Sequence, residues 1–318
     1  MFLHYIDLSI RSIKSTPVIS VLMVFAIAIG IGLTMTSLSV FHMMSMDPIP
    51  HKSQAIHFPQ LNIMDEGGEW HTDDNIPYQL TYQDAINLYN ADADFPRSPS
   101  FRSGFSVHLN TPDVKPTMEP ARLVYQEFFS IFERPFIFGA PWSKEEQQSK
   151  PYVVVISESI NNRLFNGQNS VGKSIYLDNK SYRIVGVVED WDHHIKYYDL
   201  NNGAFNSPEK LYVPFSIAPL EEIGTWGNTN GWKHETLNGY QSLLQSELVW
   251  VQFWVQLNTA AEKEAFSALI MAYMEDQQSK GRFNRDNLQY ALRNVTQWLK
   301  YNQVVSEDNR ILVGLSFM

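Results

Sequence analysis

Residues 167–174 read Gly-Gln-Asn-Ser-Val-Gly-Lys-Ser and match the phosphate-binding pattern G-x-x-x-x-G-K-[ST], with Gly167, Gly172, Lys173 and Ser174 at its fixed positions. Such a loop works when a strand delivers a glycine turn whose amides face the phosphates. A helix must then start at the Lys-Ser pair and point its positive end at the same charge. Here the order is reversed. The apolar run Tyr152–Ile156 reads as a strand, but it ends eleven residues before Gly167. Ser157–Phe165 reads as a short helix, with Ile160, Leu164 and Phe165 on one face. Beyond Lys173, residues 175–185 alternate apolar and polar around Asp178-Asn179-Lys180, the pattern of a β-hairpin. A hairpin offers no helix N-terminus to a phosphate, so the match is read as chance and no bound cofactor is expected.

Other reactive combinations are sparse. Asp190-Trp-Asp192-His193-His194 is the one metal-like run, yet adjacent histidines on an extended chain point to opposite sides. It reads as a solvated loop. Neither an H-E-x-x-H spacing nor a G-x-S-x-G elbow occurs, and the chain has no cysteine. The absence of cysteine excludes disulfides, thiolate metal sites and cysteine nucleophiles. Glu145-Glu146 and Glu221-Glu222 read as solvated carboxylates, and no catalytic residue is assigned. Trp226 and Trp232, in a Gly/Asn-rich loop, are candidate partner contacts because aromatic side chains dominate binding hot spots. Packing back onto the domain is the competing reading for both.

The elements around these residues begin with a membrane signal. Ser15–Met46 contains no Asp, Glu, Lys or Arg, and Val18–Phe41 is almost wholly apolar. As a helix this run measures about 36 Å, enough to cross a hydrocarbon core of roughly 30 Å. It is longer than the apolar region of a secretory signal and lacks a good cleavage site, so residues 17–46 are expected to be a retained transmembrane helix. Arg11 and Lys14 precede it, and Asp47 follows, so the positive-inside rule puts the N-terminus in the cytoplasm. Residues 1–16 carry Phe2, Leu3, Ile6, Ile10 and Ile13 at helical spacing, as in an amphipathic helix at the cytoplasmic interface. Ala26 with Gly30, and Ala28 with Gly32, form two small-xxx-small pairs that allow a partner helix close approach. The last residues, 310–318, read as the start of a second span that the sequence does not complete.

Between these lies a region, 47–309, in which strand and helix patterns recur. Strands are expected over Ser53–Met64, Ser103–Leu109, Ala121–Tyr125, Lys210–Pro214 and Leu248–Leu257. Helices are expected over Thr81–Tyr89, opened by a Thr81–Asp84 cap, over Gln126–Phe132, and over Ala260–Gln278 with Ala265, Leu269, Ala272 and Tyr273 inward. Pro135–Trp142 reads as an aromatic turn, and residues 190–246 as loop. The fold class is α+β: mixed sheets covered by helices, behind one N-terminal membrane helix. A net charge of −10 argues against a nucleic-acid partner.

The order Val124-Tyr-Gln-Glu-Phe-Phe, Gly139, Pro151–Ser157, Arg163-Leu-Phe, Val171–Ile175 and Tyr182–Val188 resembles the MacB-like periplasmic core domain of FtsX-like ABC transporter permeases. Phe138-Gly139-Ala140-Pro141 departs from the family pattern by lacking its arginine. The resemblance implies a permease of the bacterial inner membrane with its core domain in the periplasm between its first two spans. It divides that domain into a porter-like part and an inserted sabre-like part, here about 126–246. It also implies a separate ABC ATPase subunit as the site of ATP hydrolysis, a second permease as homo- or heterodimer partner, and a periplasmic adaptor as a further partner. The chain itself would be a non-catalytic subunit, truncated after the start of span two, serving peptide, lipid, lipoprotein or drug export or mechanotransmission. The alternative is a membrane-tethered or secreted periplasmic binding protein.

Overall fold

The computed structural model describes residues 5, 11, 13–110, 115–149, 151–191 and 195–304. Residues 310–318 and most of 1–16, for which a second span and an amphipathic helix are expected, lie outside the described residues. Two compact units result, one holding the N-terminal helix and the other Asp47–Asn302.

Helix α1 (Pro17–Ser45) starts with proline in its first turn, where the missing amide costs nothing. Its Pro17–Ser39 stretch is long and apolar enough to cross a membrane. The Thr34 and Thr36 hydroxyls donate to the Gly30 and Gly32 carbonyls, each at 2.8 Å, so these polar groups are satisfied within the helix.

The large unit is built on strands β1 (Ile56–Leu61), β2 (Leu80–Thr81), β3 (Arg97–His108), β4 (Thr117–Val124), β5 (Phe136–Gly139), β6 (Val153–Ser157), β7 (Ser174–Leu177), β8 (Lys180–Val188), β9 (Leu211–Pro214), β10 (Val249–Gln256) and β11 (Tyr290–Asn294). They pair in the order β11-β1-β10-β3-β4-β9-β6-β8-β5. Strand β7 lies off this path and closes part of it. It pairs antiparallel with β8 on one side and with Val107 and His108 of β3 on the other. The circuit β3-β4-β9-β6-β8-β7-β3 is therefore a closed ring, and β11-β1-β10 is an open sheet attached to the other end of β3. Ring positions Phe105, Val107, Leu123, Val154, Ile156, Ile175, Leu177, Ile184 and Val213 are at most 4% exposed and form one core with the helix-facing side of the open sheet.

Helices α2 (Tyr82–Asn90) and α8 (Ala260–Ser279) each start at a threonine cap, with Thr81 accepting from the Asp84 amide and Thr259 forming a reciprocal capping box with Glu262. The inward face of α8 differs from the expected one. Ala265 and Ala272 are exposed and Leu269 and Tyr273 half-buried, whereas Phe266, Ile270, Met274 and Gln277 are buried. The two stripes are offset by a single residue, about 100° around the helix, and the one carrying the larger apolar side chains turns inward.

Two strand boundaries also differ. Strand β3 starts six residues before the expected Ser103, because Arg97–Ser100 pairs with β10 despite Pro99. The expected turn at 135–142 contains β5, which pairs with β8. Gly139 of β5 has φ +69° and lies against the Val185 carbonyl, 2.1 Å from where a Cβ would stand, so no other residue fits there.

Truncation of the ring-closing side chain, Ile175→Ala, is expected to cost about 2–5 kcal/mol in denaturant unfolding. Leu269→Ala on the half-buried side of α8 is expected to cost clearly less than Phe266→Ala.

Candidate functional site

The glycine-rich run lies between a helix and a strand, in that order. Helix α5 (Glu158–Phe165) ends at Asn166 in the left-handed conformation, and Ser174 opens β7. The loop amides are engaged with the protein. Gly167 donates to the Asn161 carbonyl at 3.4 Å, Gly172 to Ile184 at 2.8 Å and Lys173 to Ser170 at 3.0 Å. The Lys173 ammonium lies 5.1 Å from the centroid of the Phe165 ring. These amides extend the sheet and close the turn, rather than forming a concave set of free donors.

Ala26, Ala28, Gly30 and Gly32 lie along α1, and neither glycine has a neighbour within 4 Å of its Cβ direction. Trp226 and Trp232 have different surroundings. Trp226 is 47% exposed, and its amide donates to the Arg102 carbonyl at 2.8 Å. Its ring covers Gly104 so closely that a Cβ there would come within 1.9 Å. Trp232 is half-buried against the core, with the Lys233 ammonium 4.8 Å from its ring centroid. In the metal-like run, the Asp190 carboxylate accepts from the Ser159 hydroxyl at 2.9 Å, while Asp192, His193 and His194 lie outside the described residues. Among the described residues no group of three or more His, Asp or Glu side chains is arranged to hold a metal. Glu146 and Glu221 carry partners at the surface, Arg183 at 2.5 Å and Lys180 at 3.2 Å.

Sequence patterning misses the most unusual cluster. Arg122 of β4 and the side chains of Lys196, Asp199 and Glu209 are at most 2% exposed. Arg122 bonds Asp199, lies 3.1 Å from Glu209 and donates to the Ser100 hydroxyl at 3.0 Å. Lys196 reaches Glu209 at 2.5 Å, and the Tyr198 hydroxyl donates to the same carboxylate at 2.9 Å. Two cations and two carboxylates balance, which is the condition for keeping charges out of water. Burial works against the Glu209 charge, but Arg122 and Lys196 outweigh it and hold the group at about 2, below its ordinary 4.5. Burial lowers Lys196 from its ordinary value, partly offset by Glu209 and Asp199. The sequence sign of this cluster is an arginine between Ala121 and Leu123, in the apolar end of β4.

A family model described as the MacB-like periplasmic core domain matches residues 20–273. The chain belongs to that family. Over 99 residues it is 27% identical to a pyoverdine export ATP-binding/permease protein of Pseudomonas syringae pv. syringae, covering 31% of this chain and 14% of the relative. A protein of the same description from Pseudomonas entomophila is 25% identical over 99 residues, with the same coverage. The chain thus spans about a seventh of the length of the curated relatives it matches. Among solved structures, the periplasmic region of MacB from Actinobacillus actinomycetemcomitans is 14% identical with a TM-score of 0.46, covering 79% of this chain and 93% of that one. The extracellular domain of the ABC-type transporter YknZ from Gram-positive bacteria is 12% identical with a TM-score of 0.40, covering 66% and 88%. With the Pro17–Ser39 stretch of α1 long and apolar enough to cross a membrane, membership of the family makes this a membrane-anchored protein with an extracytoplasmic domain.

Two outcomes are expected. ATP titrated onto the full chain gives no saturable binding; micromolar affinity abolished by Lys173→Ala would reverse the reading of residues 167–174. Because the folded-state pKa of Glu209 is depressed, its contribution to stability is present above about pH 4.5 and lost as pH falls toward 2. Glu209→Gln is expected to lower stability at neutral pH by roughly 3–5 kcal/mol and to flatten the loss over that acid window, read by chemical unfolding at several pH values.

Proposed function

We propose that the chain is a permease subunit of an ABC transporter, coupling ATP hydrolysis on a separate partner chain to an export or mechanotransmission task outside the cytoplasm. The carrying observation is continuity: one family match starts inside α1 and runs through the large domain to residue 273. Membrane helix and external domain are thus parts of a single inherited unit, as a motion-transmitting subunit requires. The relatives' description, pyoverdine export with ATP binding and permease function, supports export of a small molecule. Peptide, lipid, lipoprotein and drug cargo are compatible with the same architecture. In this reading the N-terminus faces the cytoplasm, Ala26, Ala28, Gly30 and Gly32 pack against a membrane helix of a second permease, and Trp226 is a contact for an extracytoplasmic adaptor. The domain itself is a mechanical element with no bond-making chemistry.

Single cysteines placed in this cysteine-free chain test the arrangement directly. Ser207→Cys is expected to react with a membrane-impermeant maleimide in intact cells or spheroplasts, and Ser15→Cys only after permeabilisation. The opposite pattern would refute the orientation. Purification from the native membrane is expected to retain an ABC ATPase whose hydrolysis rate changes when the chain is removed; an unchanged rate would favour a tethered binding protein.

A further inference from the structure

Four Asn-Gly pairs occur in the chain: Asn166-Gly167, Asn202-Gly203, Asn230-Gly231 and Asn238-Gly239. In each, a side-chain carboxamide stands next to a backbone nitrogen whose own residue has no Cβ to hinder approach. Attack of that nitrogen on the carboxamide carbon closes a five-membered succinimide ring. The glycine N–H must lose its proton, and the peptide plane between the two residues must turn toward the side chain. Hydrogen bonds on that plane therefore decide which pair reacts, because each has to open first.

The structure ranks the four pairs. At Asn202-Gly203 the Gly203 amide donates to the Leu200 carbonyl at 3.1 Å, and the Asn202 carbonyl accepts from the Asn206 carboxamide. The Asn202 carboxamide is held as well, donating to Asp199 at 2.7 Å and accepting from the Asn228 amide at 2.6 Å. At Asn230-Gly231 the Asn230 carbonyl accepts from the Val249 amide at 2.8 Å. At Asn166-Gly167 the Gly167 amide donates to the Asn161 carbonyl at 3.4 Å. Asn238-Gly239 differs from all three. Among the described residues, no hydrogen bond is made by the Asn238 carbonyl, the Gly239 N–H or the Asn238 carboxamide, and both residues are exposed. The Ser242 hydroxyl engages only the groups on either side of that plane. It accepts from the Asn238 amide and donates to the Gly239 carbonyl, each at 2.7 Å.

We propose that Asn238 is a self-modification site of the folded chain, converting to isoaspartate without an enzyme. The Gly239 nitrogen bonds to the Asn238 side-chain carbon, and the carboxamide nitrogen leaves as ammonia with the proton that Gly239 gave up. Water then opens the ring. Cleavage at the main-chain carbonyl routes the backbone through the former side chain, giving isoaspartate, and cleavage at the other carbonyl gives aspartate. The isoaspartate lengthens the main chain by one methylene between the two groups that Ser242 clips together. That loosens the entry to helix α7 (Tyr240–Leu244), whose Tyr240 hydroxyl donates to the Ile223 carbonyl at 2.8 Å and whose Leu244 is buried. The assignment is independent of the permease reading.

The test incubates the full chain in detergent micelles at mildly alkaline pH in H₂¹⁸O, beside a second sample held in urea. Both are then digested in ordinary water, so that heavy oxygen marks only conversion before digestion. Each Asn-Gly peptide is followed by mass spectrometry, with electron-transfer fragmentation to separate isoaspartate from aspartate. In the folded chain Asn238 is expected to convert first, and at least about tenfold faster than Asn202, given roughly fivefold for each hydrogen bond that must open. In urea the four rates are expected to draw together, because the bonds that separate them are gone. The proposal fails if any of the other three asparagines converts as fast as Asn238 in the folded chain, or if the product is aspartate alone. It also fails if the same spread of rates persists in urea, which would place the preference in the flanking sequence and not in the fold.

Discussion

Strand β3 carries the architecture. Its first four residues, Arg97–Ser100, pair with β10 and so hold the open sheet, while its far end, Val107 and His108, receives β7 and shuts the ring. From Ser100 to Val107 the opposite edge is bonded to β4. One strand of twelve residues therefore belongs to two pairing systems at once. A change in its register would propagate to both, because a shift of one residue turns every side chain to the other face. That constraint explains why β3 contains a proline and a glycine in places where a freestanding strand would avoid them. Pro99 sits at the open-sheet end, and Gly104 where an indole must lie flat on the backbone.

On the face of β4 opposite the ring core, Arg122 ties the irregular chain of 195–210 to the sheet through Asp199, Glu209 and Lys196. Aromatic rings pack around this charge cluster. The Arg122 guanidinium lies 4.9 Å from the Tyr198 ring centroid, and Trp191 stacks on Tyr198 at 4.1 Å. A loop without periodic pattern is thereby fixed by ionic geometry. Apolar burial alone would allow it many near-equivalent positions, whereas charges sealed from water admit few.

Much of the architecture was legible because local chemistry agreed with the final pairing. The Thr81–Asp84 cap, the hairpin around Asp178 and the apolar runs at Val153–Ser157 and Val249–Gln256 all appear close to where the patterns place them. What escaped was decided between distant segments. Strand β5 exists because β8 offers it an edge, and Arg97–Ser100 is extended because β10 lies alongside. The face of α8 turned on a one-residue offset between two apolar stripes. Periodicity alone ranked the alanine stripe with the one bearing Phe266 and Met274. The charge cluster joins residues up to 87 positions apart, and no short window contains it. At the glycine-rich run the decisive information was local, namely which element precedes and which follows.

The indole at Gly104 has a consequence for how the molecule behaves among its neighbours. Between the segments of β3 bonded to β10 and to the β7–β8 hairpin, the residues from Phe101 to Phe105 present a stretch of strand edge. Loop 224–227 occupies it, through the Trp226 amide on the Arg102 carbonyl and the Ser103 hydroxyl on Gly224, and the ring lies across the gap. A bare edge of this kind is a template for any extended chain that drifts past. Over this stretch the loop acts as a stopper. It keeps the domain from being zipped into foreign strands, and it does so with one side chain in place of an additional strand.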